Sequence, residues 1–258
     1  MEMQGKGTAM LLKSKTAIIT GAGAERGIGR ATARLFAEHG ARTALLDVDG
    51  DGVAAGAREL GPEHRAYTCD VTDTARCAAV ADAVQETFGA IDILINNAGV
   101  VFSTPFMEID ADEYDTVMDV NVRGNFNMAQ AVVPHMRRQG SGAIVCISSI
   151  AARIGGGLFG TTHYATAKSG IFGLAKGLGR ELAPDGIRTN AIAPGFIDND
   201  FLKGRATDDM KKAIREKIPL ARLGESADVA NACLFLSSDL SSYVTGVMLD
   251  VNGGMFIH

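Results

Sequence analysis

Thr16-Ala17-Ile18-Ile19-Thr20-Gly21-Ala22-Gly23-Ala24-Glu25-Arg26-Gly27-Ile28-Gly29 joins a short β-branched run to a glycine-rich turn, and Arg30 to His39 follow in helical period. Strand, tight turn and helix in that order open a βαβ unit. Glycines in such a turn let the backbone approach a pyrophosphate, whose charge is favoured by free N–H groups at the helix N-terminus. The turn is weak evidence by itself, because Gly23 and Gly27 stand one position too far apart for G-x-G-x-x-G.

The same alternation continues outward. Further β-branched runs span Thr43 to Asp47, Ala66 to Asp70, Ile91 to Asn96, Ala143 to Ser148 and Arg188 to Ala193, with Val247 to Val251 as a seventh strand. Several runs are apolar throughout rather than alternating, as strands covered by helices on both faces must be. The pattern predicts an α/β fold: a single doubly wound Rossmann-type domain, a parallel sheet of about seven strands with helices on both faces and right-handed crossovers. No linker or repeat divides residues 15–258, and residues 1–14 read as an N-terminal extension and a candidate for disorder.

Composition narrows the function classes. The 258 residues are 47% hydrophobic and 21% charged with a net charge of -5, the balance of a globular enzyme. No Lys/Arg run exceeds a pair, so the chain lacks the basic stripe that nucleic acid requires. The apolar stretch Thr8 to Leu12 is too short for a secretory core, and no run approaches the roughly 20 apolar residues of a membrane span, so a cytoplasmic protein is expected. Cys69, Cys77, Cys146 and Cys233 are scattered without C-x-x-C spacing or a nearby His; free buried thiols are expected, and no metal site.

The carboxyl ends of the strands carry the polar residues. Asp47 ends the second strand about 20 residues past the glycines, where a carboxylate accepts hydrogen bonds from an adenosine ribose. Asp70 reads equally as an adenine contact or as the cap of the Thr72-led turn. Asn96-Asn97-Ala98-Gly99 ends the fourth strand, either as a ligand edge or as a plain turn. Tyr164 and Lys168 stand four apart in a segment that reads as helix through Ala183, on one face. A tyrosine with a pKa of about 10 is a poor base at neutral pH unless an ammonium stabilises its phenolate, and Lys168 can supply that charge. On its own this spacing is a common surface pattern. Ser148-Ser149, at the end of the fifth strand, adds a hydroxyl at the same edge.

Taken together, Thr20-Gly21, Gly27-Ile28-Gly29, Asp70-Val71, Asn96-Asn97-Ala98-Gly99, Asn121, Ser149, Tyr164, Lys168 and Pro194-Gly195 resemble the short-chain dehydrogenase/reductase family over roughly Lys15 to Gly254. The resemblance implies hydride transfer between a nicotinamide cofactor and a secondary alcohol or ketone. It gives Tyr164 the role of general acid/base and Lys168 that of lowering its pKa and binding the nicotinamide ribose. Ser149 would hold the substrate oxygen, and Asn121 would support a water-linked proton relay. It also implies a cofactor lining of Gly21, Arg26, Gly27, Ile28, Asp47, Asp70, Val71, Asn97, Gly99, Tyr164, Lys168, Pro194 and Ile197, and a homo-oligomer, tetramer or dimer. NAD is expected over NADP because Asp47 would repel a 2′-phosphate; Arg26 would either pair with that phosphate or be neutralised by Asp47 itself.

Some features depart from the family pattern. The glycine loop and the Ser149-to-Tyr164 segment are each longer than usual, and Gly155-Gly156-Gly157 is expected as a flexible wall beside the substrate. Asn199 stands where a threonine is common. Residues 199–219 read as a substrate lid or, equally, a surface insertion. His163 is expected to be a surface or packing residue, and His39, His64 and His135 to lack notable partners. Gly170, Gly173, Gly177 and Gly179 suit close packing against a symmetry mate or against the sheet. Two further readings stay open: a 3-oxoacyl thioester as substrate, and a dinucleotide sensor without turnover.

Overall fold

Strands that are apolar on both sides need a helical layer on each, and the chain supplies one. The structure is a computed structural model and describes residues 10–157, 159–202 and 204–257. In chain order the elements are β1 Thr16–Thr20, α1 Ile28–Glu38, β2 Arg42–Asp47, α2 Gly50–Leu60, β3 Arg65–Thr68, α3 Thr74–Phe88, β4 Ile93–Asn96, α4 Ala111–Met118, α5 Gly124–Gln139 and β5 Gly142–Ile147. They continue with α6 Ala151–Ile154, α7 Thr162–Glu181, β6 Ile187–Pro194, α8 Asp208–Arg215, α9 Ser226–Ser237 and β7 Met248–Val251.

The strands form one parallel sheet in the order β3-β2-β1-β4-β5-β6-β7. Period-two alternation divides each strand between two cores. Ile19, Ile95 and Val145 face the layer that holds Phe36 of α1 and Val229 and Cys233 of α9. Ile18, Leu94 and Ile144 face Val80, Met128 and Ile171 of α3, α5 and α7. Strand order reverses between β1 and β4, which opens a crevice at the carboxyl ends of those two strands.

Strand and helix ends shift by a few residues. Asp70 lies past β3, in the turn, and Ser148 past β5. Asp92 precedes β4 and holds Thr16 N (2.8 Å) and Lys15 Nζ (3.1 Å) with its carboxylate. The long helix stops at Glu181, before a 3₁₀ turn containing Pro184. Residues 1–9 of the expected N-terminal extension lie outside the described residues, but its end does not stand apart: Leu12 is 1% exposed and joins the core with Phe36.

The histidines do have partners, contrary to the sequence reading. Buried His64 shares Nδ1 with Thr43 Oγ1 at 2.8 Å, His135 sits between Asp82 (3.1 Å) and Arg138 (2.7 Å), and His39 Nδ1 accepts from Leu11 N at 3.4 Å. Except for Arg138, these partners come from distant segments, which spacing along the chain does not display.

Candidate active site

The crevice begins with the glycine turn. Gly21 has φ +66, and a Cβ there would lie 2.7 Å from Asn97 Nδ2 and 2.9 Å from Ala98 Cα, so only glycine fits. Asn97 Nδ2 donates to Thr20 O and Gly21 O, both at 2.9 Å, while Thr20 Oγ1 accepts from Asn97 N and Ala98 N. The ends of β1 and β4 are thereby tied into one edge. Asp49, Asp73, Asp110 and Thr207 cap α2, α3, α4 and α8 through side-chain hydrogen bonds. At α1, by contrast, Gly27 gives no side-chain cap, and Gly27 and Ile28 line the cavity.

Arg30 is a residue that the sequence reading missed. Its side chain is 3% exposed, and its guanidinium donates to Ala22 O, Gly23 O and Gly52 O, clamping the lengthened glycine loop from behind. The one available signal was a cation on a helix face whose neighbours Ala33 and Phe36 are apolar.

Asp47 reaches the cavity and accepts from Gly23 N at 2.9 Å and Asp49 N at 3.1 Å. Arg26 does not pair with it. The Arg26 guanidinium turns across the crevice to Asp198 O (3.4 Å) and Asp200 (3.6 Å), because those acceptors follow β6 directly opposite the loop. Asp70 is taken up by a turn, its Oδ1 accepting from Thr72 N at 2.9 Å and Thr72 Oγ1 at 2.8 Å. Val71 is buried and its carbonyl accepts from Asn127 Nδ2 at 2.9 Å. Arg26, Asp70 and Val71 thus lie outside the cavity wall, which Gly21, Asn97, Gly99, Pro194 and Ile197 do line.

Two predicted residues, Asn121 and Lys168, meet beside Gly99, and Tyr164 and Ser149 line the cavity with Lys168. Tyr164 and Lys168 project from the start of α7, 7% and 3% exposed. Ser149 Oγ accepts from Ala151 N at 3.1 Å and, like Tyr164, lines the cavity, whereas Ser148 donates into Lys168 O at 2.7 Å and is structural. Asn121 sits in a π-helical turn, Asp119–Arg123, between α4 and α5, an irregularity common at functional sites. Its Nδ2 donates to Val100 O and Val117 O, both at 2.9 Å; its buried Oδ1 has no hydrogen-bond partner among the described residues. A Cβ on Gly99 would lie 2.7 Å from that Oδ1 and 3.2 Å from Lys168 Nζ, so the absent side chain leaves a cradle between them.

Burial governs the electrostatics here. The Tyr164 phenol is pushed up to about 12 by burial, opposed by the neighbouring Ser149 hydroxyl. Lys168 Nζ lies 5.6 Å from the centre of the Tyr164 ring and donates to Ile147 O at 3.0 Å; burial brings the Lys168 ammonium down to about 8. In this arrangement burial outweighs the lowering of the Tyr164 pKa that the spacing predicts for Lys168.

The cavity measures about 710 Å³ and runs from Asp47 past Tyr164 to Phe201 and Ile214. Gly156 and Gly157 form part of its wall, Gly155 and Gly156 having φ of 81 and 127. Within 199–219 the described residues include a 3₁₀ turn, Asp200–Leu202, and α8, whose Lys211 pairs with Asp198 at 2.7 Å. His163 is a packing residue: its Nε2 lies 2.9 Å from Glu113 Oε1, a contact too misaligned for a hydrogen bond, and Glu113 Oε2 accepts from Thr104 Oγ1 at 2.8 Å. This ties α7 to α4 and to the loop after Gly99. Among the described residues no cluster of three or more His, Cys, Asp or Glu is placed to hold a metal, and no helix is long and apolar enough to cross a membrane.

A family model described as enoyl-(acyl carrier protein) reductase matches residues 21–256. An uncharacterized short-chain type dehydrogenase/reductase of Sinorhizobium fredii is 49% identical, over 96% of this chain and 100% of its own. The 3-oxoacyl-[acyl-carrier-protein] reductase of Staphylococcus aureus is 38% identical, over 95% and 99%. A crystal structure from Sinorhizobium meliloti 1021, of a chain provisionally named a short-chain alcohol dehydrogenase, superposes with a TM-score of 0.88 at 34% identity, covering 95% of this chain and 98% of that one. On these matches the chain belongs to the short-chain dehydrogenase/reductase family and is an oxidoreductase.

Proposed function

We propose that the protein interconverts a secondary alcohol and a ketone with NAD(H), using Tyr164 as the acid/base. The observation that carries this reading is the convergence of Ser149, Tyr164 and Lys168 on one cavity wall, with the unpartnered Oδ1 of buried Asn121 across Gly99 from Lys168. The residues present fit a dinucleotide: an uncapped helix N-terminus behind a glycine turn, a carboxylate at the end of β2, and the cradle at Gly99. Gly21, Gly27, Ile28, Asp47, Asn97, Gly99, Pro194 and Ile197 would hold it, and the nicotinamide supplies or takes up the hydride.

Ser149 fixes the substrate oxygen, and Tyr164 delivers a proton to it in reduction or removes one in oxidation. Lys168 holds positive charge near the phenol, and Asn121 Oδ1 offers an acceptor for a water that links Lys168 to solvent. NAD is favoured over NADP because Asp47 faces the cavity while Arg26 is engaged with Asp198 and Asp200, which leaves the carboxylate to oppose a 2′-phosphate. Residues 199–219 serve as the substrate lid, a homo-oligomer fits the bare outer face at Gly173 and Gly177 together with half-exposed Tyr114 and Phe126, and the cytoplasm is the proposed compartment.

Tyr164→Phe tests the reading: turnover of a ketone panel is expected to fall more than a hundredfold with cofactor affinity retained, and retention of about a tenth would overturn the assignment. Comparing kcat/KM for NADH and NADPH tests the cofactor, with Asp47→Ala narrowing the preference. The named 3-oxoacyl reductase relative favours a second reading, in which the ketone lies β to a thioester. Faster reduction of acetoacetyl thioesters than of simple ketones would establish it.

A further inference from the structure

Beyond Ser149 and Tyr164 the cavity wall, among the described residues, is mostly apolar, built from Phe102, Ile154, Phe159, Phe196, Phe201 and Met255. Phe159 and Phe196 meet at 5.8 Å between ring centres, tilted by 46°, while Ile154 and Phe201 remain 48% and 41% exposed. Polar groups along this wall are engaged with the protein itself. Asn199 Oδ1 accepts from Phe201 N at 3.0 Å, Asp200 is held by Arg26, and Arg205 donates to Val101 O at 3.2 Å. Three wall carbonyls are occupied likewise: Phe159 O by Ser103 Oγ (3.1 Å), Gly160 O by Gly157 N (2.8 Å) and Phe196 O by Gly224 N (3.0 Å).

A hydroxylated substrate needs convergent donors and acceptors to replace the water that it loses. Each hydroxyl left unmatched in such a chamber weakens binding roughly tenfold to a hundredfold. An alkyl or aryl group loses nothing there and covers the exposed faces of Ile154 and Phe201. We infer that the substrate is a ketone, or the matching secondary alcohol, whose carbonyl carbon carries an extended apolar group, and not a sugar or polyol. The inference rests on the alcohol/ketone reading above and names its substrate class.

The test compares methyl ketones of increasing length, from butanone upward, and acetophenone with fructose and dihydroxyacetone, at saturating reduced cofactor. The expected kcat/KM rises about three- to fourfold per added methylene until the chamber is filled. The hydroxylated ketones should fall at least a hundredfold below the best apolar one, and Phe159→Ala and Phe201→Ala should flatten the slope without changing cofactor affinity. Calorimetric binding of the corresponding secondary alcohols to the protein with NAD separates the two readings. Length-dependent binding without turnover would support the apolar chamber and defeat the proposed reaction. Preferential turnover of fructose or dihydroxyacetone would defeat the apolar substrate and leave the reaction standing. A flat series in both assays, or no binding at all, overturns the inference.

Discussion

Lys168→Met is expected to stabilise the folded protein at neutral pH while abolishing ketone reduction. Burial takes the Lys168 ammonium from an ordinary 10.5 to about 8. At about 1.4 kcal/mol per pH unit, holding the charge costs the fold about 3 kcal/mol at neutral pH. A methionine keeps most of the stem packing but forgoes the donation to Ile147 O at 3.0 Å, a loss of about 1 kcal/mol, so the net gain is about 2 kcal/mol. The sign has a second check. The unfolded chain keeps this proton up to 10.5, whereas the folded chain releases it from about 8, so wild-type stability rises with pH across that window and the gain from methionine disappears above it. Urea unfolding followed by circular dichroism, at fixed protein concentration and at neutral and strongly alkaline pH, reads both quantities, and comparing the two proteins cancels every other titration. A variant less stable than wild type at neutral pH, or a gain that persists undiminished at high pH, would refute the argument.

Further expectations follow from the same geometry. Gly99→Ala puts a methyl 2.7 Å from Asn121 Oδ1 and 3.2 Å from Lys168 Nζ, so kcat/KM should fall about a hundredfold and the fold should lose about 1–3 kcal/mol; retention of a third of the activity would contradict it. Arg30→Met leaves the carbonyls of Ala22, Gly23 and Gly52 without their donor, and about 2–4 kcal/mol of stability should be lost together with a tenfold or greater rise in cofactor KM. Because the Tyr164 phenol stands at about 12, its base form grows with pH through the neutral range. Alcohol oxidation should therefore accelerate from pH 7 to 9 while ketone reduction does not, and parallel profiles in the two directions would count against Tyr164.

Features set by local pattern were readable from the chain, and those set by distant partners were not. Apolar runs such as Ile93-Leu94-Ile95 demand cover on both faces, so the doubly wound sheet follows from their alternation with helical segments. Tyr164 and Lys168 share a helix, so their common face follows from helical period. Arg26 is different: a residue in a turn can point to either side of the crevice, and only the placement of Asp198 and Asp200 after β6 decides that it points away from Asp47. Asp70 had two partners in prospect, and the structure shows the near one, Thr72, on its Oδ1. Arg30 and His163 are polar residues at buried positions of helices, where periodicity alone predicts an apolar side chain or a surface; their partners, Gly52 and Glu113, lie 22 and 50 residues away in the chain. The π-helical turn at Asn121 has no signature in residue type, because it depends on which carbonyls are reached after the chain has packed.

The region around Gly99 concentrates costs that folding alone would remove. An ammonium is brought down to about 8, a phenol one helical turn from it is pushed up to about 12, and the Asn121 amide oxygen, across Gly99 from that ammonium, is left without a donor. Apolar replacements would satisfy all three positions, so the arrangement is not explained by stability. Rigid elements hold it in place: α7 carries Tyr164 and Lys168, and two carbonyls fix the Asn121 amide. A hydroxyl-bearing group seated in the Gly99 cradle would offer Asn121 Oδ1 a donor and Lys168 an acceptor at once, relieving what folding leaves unmet. Binding there should therefore stabilise wild type more than Lys168→Met, and the difference between their thermal shifts on adding NAD measures how much of the Lys168 cost the ligand returns.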